Sequence, residues 1–178
     1  MKSLFYPLII IFFLLNGCQE KDIEERFPKK LPSIVIENFS ITETKKGKKL
    51  WSLHGVQAYV FENVVKADTV EIKFFDEDEE LFSILTALRG VLNTKSHNVQ
   101  VEDSVKLCTN DSTKLFTKSL FWNNDSGQIF TNEHIKIIKN DGTIIEGNGL
   151  RADPGLKKIE IIGSTKGVSP IELPDINR

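Results

Sequence analysis

Few residues of this 178-residue chain could do chemistry. They are three histidines, two cysteines, an acidic run at 76–80 and a lysine cluster at 45–49. His54, His97 and His134 are scattered, with no Cys or His at metal-ligand spacing, so they read as surface or half-buried structural residues. Cys108 has neither a histidine nor a second cysteine beside it and reads as a small hydrophobe in a β segment. Asp76–Glu80 could attract a cation but lacks the ligand spacing and glycine of a calcium loop, which leaves a solvated hairpin tip. Lys45, Lys46, Lys48 and Lys49 read the same way, with weak salt-dependent contact to anionic headgroups as their other use. There is no GxSxG, HExxH, phosphate-binding loop or dinucleotide fingerprint; Gly147-Asn148-Gly149 is a lone GxG, which marks a bulge or close strand packing. The expectation is a non-enzyme without catalytic residues, metal or cofactor. A net charge of −2 also lacks the basic footprint of a nucleic-acid binder.

Cys18 is a different case. Lys2 is followed by the apolar stretch Leu4–Leu15, shorter than the ~20 residues of a spanning helix and the right length for an export signal. It ends in Leu15-Asn16-Gly17-Cys18, which resembles the lipobox of bacterial lipoprotein signals. Residues 1–17 are therefore expected to be a cleaved signal and Cys18 the lipidated first residue. Residues 18–30, dense in charge, would be a solvated tether, 31–168 the folded domain, and 169–178 a fraying tail.

The elements that must position any site are strands. The chain has 20 Ile, 11 Val and 11 Thr against 4 Ala, a bias toward β-branched residues that pack on pleated sheets. A thirty-residue repeat runs through the second half. Leu85, Leu115 and Ile145 keep that step; so do Gly90, Leu120 and Leu150, and so do Val99, Ile129 and Ile159. Turn residues keep it too, as in Asn110-Asp111-Ser112-Thr113 and Asn140-Asp141-Gly142-Thr143. Each unit is two strands of about ten residues joined by Asn/Asp/Gly-rich turns. The first half is looser, with strands expected at Ile34–Ile41, Trp51–Phe61 and Val70–Phe75 and a tight turn at Gly47.

Alternation puts apolar residues on one face only, for example Val70, Ile72 and Phe74, then Val99 and Val101, then Ile135 and Ile137. The apolar faces must therefore look at each other. They enclose either a filled sandwich core or, if splayed, a trough about 30 Å long at ~3.4 Å per residue. Broken alternation, as at Gly55, predicts bulges and twist.

The order of motifs resembles the LptC family. An apolar anchor and acidic tether lead into Pro32-Ser33-Ile34-Val35-Ile36 and Asn38-Phe39-Ser40. Then come Gly47-Lys48-Lys49-Leu50-Trp51-Ser52-Leu53, Leu85-Thr86-Ala87 with Gly90, and Leu115-Phe116-Thr117 with Leu120 and Trp122. Ile129-Phe130-Thr131 and Gly147-Asn148-Gly149-Leu150-Arg151-Ala152-Asp153 close the series, so the likeness covers about residues 31–168. The resemblance implies an all-β, twisted open β-jellyroll of stacked antiparallel hairpins, receiving the acyl chains of lipopolysaccharide. It implies a place on the periplasmic side of a diderm inner membrane. The partners would be an inner-membrane ABC transporter and a soluble periplasmic jellyroll bridge protein joined through edge strands. Ile34–Ile41 and Lys157–Ile162 are the expected edges.

From alternation, the expected lipid-facing residues are Ile36, Phe39, Trp51, Leu53, Val70, Ile72, Phe74, Val99, Val101, Ile129, Ile135 and Ile137. The lipobox departs from the uncleaved helix of many family members, and Gln19 replaces the aspartate that signals inner-membrane retention. The rival reading is a membrane-anchored β-sandwich lipoprotein that only scaffolds protein partners. A carbohydrate module is disfavoured by two Trp in the chain and only Tyr59 beyond the signal.

Overall fold

The computed structural model describes residues 31–168. The expected signal, Cys18, the tether and the tail lie outside the described residues. Ten antiparallel strands form one open, twisted, jellyroll-like sheet, and the described residues contain no helix. The strands are β1 Ile34–Lys45, β2 Lys48–Phe61, β3 Val64–Phe75, β4 Leu81–Asn93, β5 Val99–Thr109, β6 Lys114–Asn123, β7 Gln128–Ile138, β8 Ile144–Ala152, β9 Ile159–Ile161 and β10 Thr165–Val168. Sequential strands pair from β1 to β8, and β8 is then shared between β9 and β10.

The first hairpin closes on Lys46 and Gly47, both at positive φ (53° and 81°), the conformation that matches strand twist. The strand starting at Val70 is longer than alternation indicated. β3 begins at Val64, after a tight turn at Glu62-Asn63 that lacks glycine and proline.

The repeat builds matching turns. In 109–113 and 139–143 the third residue is an aspartate whose Oδ1 accepts the N–H of the fifth, Asp111 from Thr113 at 3.1 Å and Asp141 from Thr143 at 2.9 Å. The fourth residue takes positive φ, Ser112 at 68° and Gly142 at 82°. Asp111 also accepts from the Thr109 hydroxyl, and this bond, more than the Thr113 N–H, holds its pKa below the ordinary value. For Asp141 the Thr143 N–H is the leading cause. A depressed folded-state pKa contributes stability that is present above the unfolded value and lost as pH falls through the folded one. Replacing both by Asn is therefore expected to lower stability modestly at neutral pH and leave it little changed below the folded pKa, flattening the acid limb, as read by thermal melts across pH.

Strands β1 to β8 are each interrupted once along a common line, where the inward parity switches in all but β5 and β7, whose inward residues stay odd-numbered on both sides. Inward residues switch parity between Gly55 and Ala58 in β2, Ala67 and Val70 in β3, and Ala87 and Gly90 in β4. The line continues through register shifts at 102–105, 117–121 and 131–134. Positive φ marks it at Asn38, Thr69, Asp103, Ser104 and Gly149. A bulge bends its strand and raises local twist, so a row of them folds a single sheet over itself. One half carries the turns at 46–47, 76–80, 110–113 and 139–143; the other carries those at 62–63, 94–98, 124–127 and 153–158.

Candidate functional site

The interior between the two halves is built of cross-strand rows. In the first half the middle row is Ile41, Leu53, Ile72, Leu85, Leu107, Leu115, Ile137 and Ile145, apolar without interruption from β1 to β8. Its members on β4, β6 and β8 are the thirty-residue repeat itself. In the second half the outermost row runs Ile34, Val60, Val65, Leu92, Val99, Trp122, Ile129, Ala152 and Ile159. From β4 onward each row keeps its line because a step of thirty advances two strands in register.

The two halves meet at their free ends. Phe74 on β3 and Trp122 on β6 stack edge to face, centroids 5.0 Å apart, although β4 and β5 separate their strands in the sheet. The Trp51 indole N–H donates to Asn124 Oδ1 at 2.9 Å, and His97 Nδ1 lies 3.0 Å from Glu43 Oε1. The facing is staggered: β2 and β3 meet the end of β6, not their own second halves. The row along this mouth is Glu43, Trp51, Phe74, Ser83 and Thr109, more polar than the rows behind it.

Eleven of the twelve expected lipid-facing residues come together here, with Phe39 7% exposed and the other ten 2% or less. Ile36 is the exception at 41%. It shares a row with buried Ala58, but on edge strand β1 no facing half covers it; Ile34 is exposed likewise. At the other end Ile161 packs over Gly147 and Ile162 over Gly149, where a Cβ would lie 2.8 and 3.1 Å from those side chains. The interior is thus capped at the β8 end and open at β1. Alternation overlooked Leu85, Leu107, Leu115, Leu120, Trp122 and Leu150, all deeply buried. The repeat carried the signal for them: Leu85, Leu115, Leu120 and Leu150 stand at the repeat positions given above, and Leu107 and Trp122 lie thirty residues from Ile137 and from Leu92 and Ala152.

The expected C-terminal edge at Lys157–Ile162 is half of the real one. β9 covers only Leu150–Ala152 of β8, and β10 covers Ile144–Gly147. The bulge at Gly149 lies between these two parts of β8. A side chain at Gly147 would press on the Ser164 carbonyl at 3.1 Å as well as on Ile161. Gly147→Val is expected to detach β9 and β10, with about 1–3 kcal/mol lost and amide exchange at 165–168 faster while β2–β6 stay protected.

The two charge runs meet each other. A surface cleft is lined by Lys45, Lys46, Lys48, Lys49, Leu50, Phe75, Asp76 and Glu77. Lys48 donates to the Glu77 carbonyl, and the Lys49 backbone N–H donates to Glu79 Oε1 at 2.9 Å. These two hydrogen bonds, each between a side chain and a main-chain group, tie the neighbouring hairpin tips at the end of the first half, an arrangement invisible when each run is read alone. No group of three or more His, Cys, Asp or Glu able to hold a metal exists among the described residues. Cys108 is a half-buried free thiol, and His54 and His134 face outward.

An open sheet rolled over a continuous apolar interior, with a free edge at β1, defines a protein of the open β-jellyroll class. The family model described as Lipopolysaccharide-assembly, LptC-related matches residues 5–170, and the chain belongs to the LptC family. That family is a component of lipopolysaccharide transport and is not a known enzyme family. It carries an envelope-associated setting with it. No curated protein matches the chain.

Proposed function

We propose that the chain is a periplasmic lipid conduit that takes lipopolysaccharide from an inner-membrane ABC transporter and passes it to a jellyroll bridge protein. The observation that carries this reading is the apolar interior, continuous through eight paired strands and uncovered at Ile34 and Ile36. Each CH₂ of an acyl chain left in water costs ~0.8 kcal/mol, and an apolar passage removes that penalty along the route. Phosphates and sugars would stay outside, at the more polar mouth. The edges at β1 and at β8 with β9 and β10 suit pairing with neighbouring jellyrolls by β-augmentation, which also blunts an otherwise aggregation-prone edge. Cys18, lipidated, would hold the domain at a membrane through the 18–30 tether. ATP hydrolysis in the transporter would supply the energy.

The purified domain, loaded with an environment-sensitive fatty-acid probe, tests the reading. Lipopolysaccharide should displace the probe, and deacylated lipopolysaccharide should not. Equal displacement by both, or by neither, contradicts it. The scaffold alternative is favoured by the tight burial of the interior side chains and would give no displacement at all.

A further inference from the structure

The mouth of the interior holds two hydrogen-bond donors with no partner. Ser83 Oγ and Trp122 Nε1 are both buried, at 2% and 3% residue exposure, and neither has a hydrogen-bond partner. Buried polar groups without partners are rare and unfavourable, and each demands an explanation. Both neighbour Phe74. Phe74 is the cross-strand neighbour of Ser83, and its ring stacks against Trp122. The other polar side chains here are satisfied, Thr109 by Asp111 and Trp51 by Asn124. Behind them the middle row is wholly apolar.

Resting on the conduit reading above, we infer that Ser83 and Trp122 form a subsite for an acyl carbonyl oxygen, so that the mouth grips the ester or amide end of a chain whose hydrocarbon lies deeper. The chemistry is specific. An indole N–H only donates and therefore needs an acceptor, and the acceptor must arrive on a molecule that is otherwise apolar enough to enter. An acyl ester or amide meets both conditions; a plain hydrocarbon meets one. The gradation from polar mouth to apolar interior fixes which way round the chain lies. Entry parts the halves at Trp51–Asn124 and Glu43–His97, the polar contacts that join them across the mouth.

The experiment compares methyl laurate with an alkane of matched length, both delivered from cyclodextrin to the full chain. The chain has two tryptophans, so its indole N–H spectrum holds two resonances, and Trp51→Phe assigns them. The ester should move the Trp122 resonance to a hydrogen-bonded position, and the alkane should not. Ser83→Ala and Trp122→Phe keep most of the apolar bulk. Each should lower the ratio of ester to alkane affinity about tenfold, the loss of one neutral hydrogen bond. Equal binding of both probes by the wild type and both variants overturns the subsite and leaves the conduit standing. So does a Trp122 resonance already hydrogen-bonded before ligand and unmoved by it, which would assign the donors to water. If neither probe binds, the subsite falls together with the conduit reading.

Discussion

Phe74→Ala is expected to destabilise the domain by about 3–5 kcal/mol, among the largest effects of any single truncation here. Phe74 is 1% exposed, pairs in register with Trp51 and Ser83, and touches Trp122 across the mouth and Phe82 beside it at 6.4 Å. Its loss opens a cavity beside Trp51, Ser83 and Trp122 within a continuous packed core, so collapse around it is limited. A urea titration followed by tryptophan fluorescence reads the shift in midpoint. It also reads the site, because both tryptophans lie beside Phe74. Phe74→Leu should recover a large part of the loss. A cost below about 1 kcal/mol for the alanine variant would mean that the halves do not depend on this contact.

Leu107→Ala should cost about 2–5 kcal/mol for a different reason. Leu107 is fully buried in the middle row between Leu85 and Leu115, far from any edge that could relax into the space. The matched control is Val56→Ala on the outer face near the fold line. Val56 is 51% exposed, so its truncation should stay within about 0.5 kcal/mol. Comparable losses at the two positions would contradict the assignment of inner and outer faces.

Much of this arrangement is legible in the sequence. The repeat of thirty predicted paired strands and the Asn/Asp turns, and both follow from local chemistry: β-branched residues favour strands, and an aspartate side chain replaces a missing backbone partner in a tight turn. Alternation found the interior at Val70, Ile72 and Phe74 because the face is constant along that run. It failed where the sheet folds over. A bulge resets parity, so Ala58 is inward three residues after inward Gly55, and no local pattern announces the new phase. The Glu62-Asn63 turn was missed because it carries neither glycine nor proline. The split C-terminal edge was missed because it depends on how the strands after β8 pair on either side of its bulge. Ile36 was assigned to the correct face, but its exposure depends on which half lies opposite, a long-range fact. For the same reason the pairing of the lysine hairpin with the acidic turn, and of Phe74 with Trp122, appears only in three dimensions.

The most direct test of the conduit is photo-crosslinking in cells that make lipopolysaccharide. A photoreactive amino acid is placed singly at Trp51, Val70 or Ile135 inside the rolled sheet, with Lys136 on its outer face as the control and circular dichroism verifying each fold. The expected result is lipopolysaccharide adducts at the inward positions only, lost when the transporter is deprived of ATP. Folded protein with no adduct at any inward position, or with equal adducts at Lys136, would contradict a path through the interior and leave the chain a scaffold.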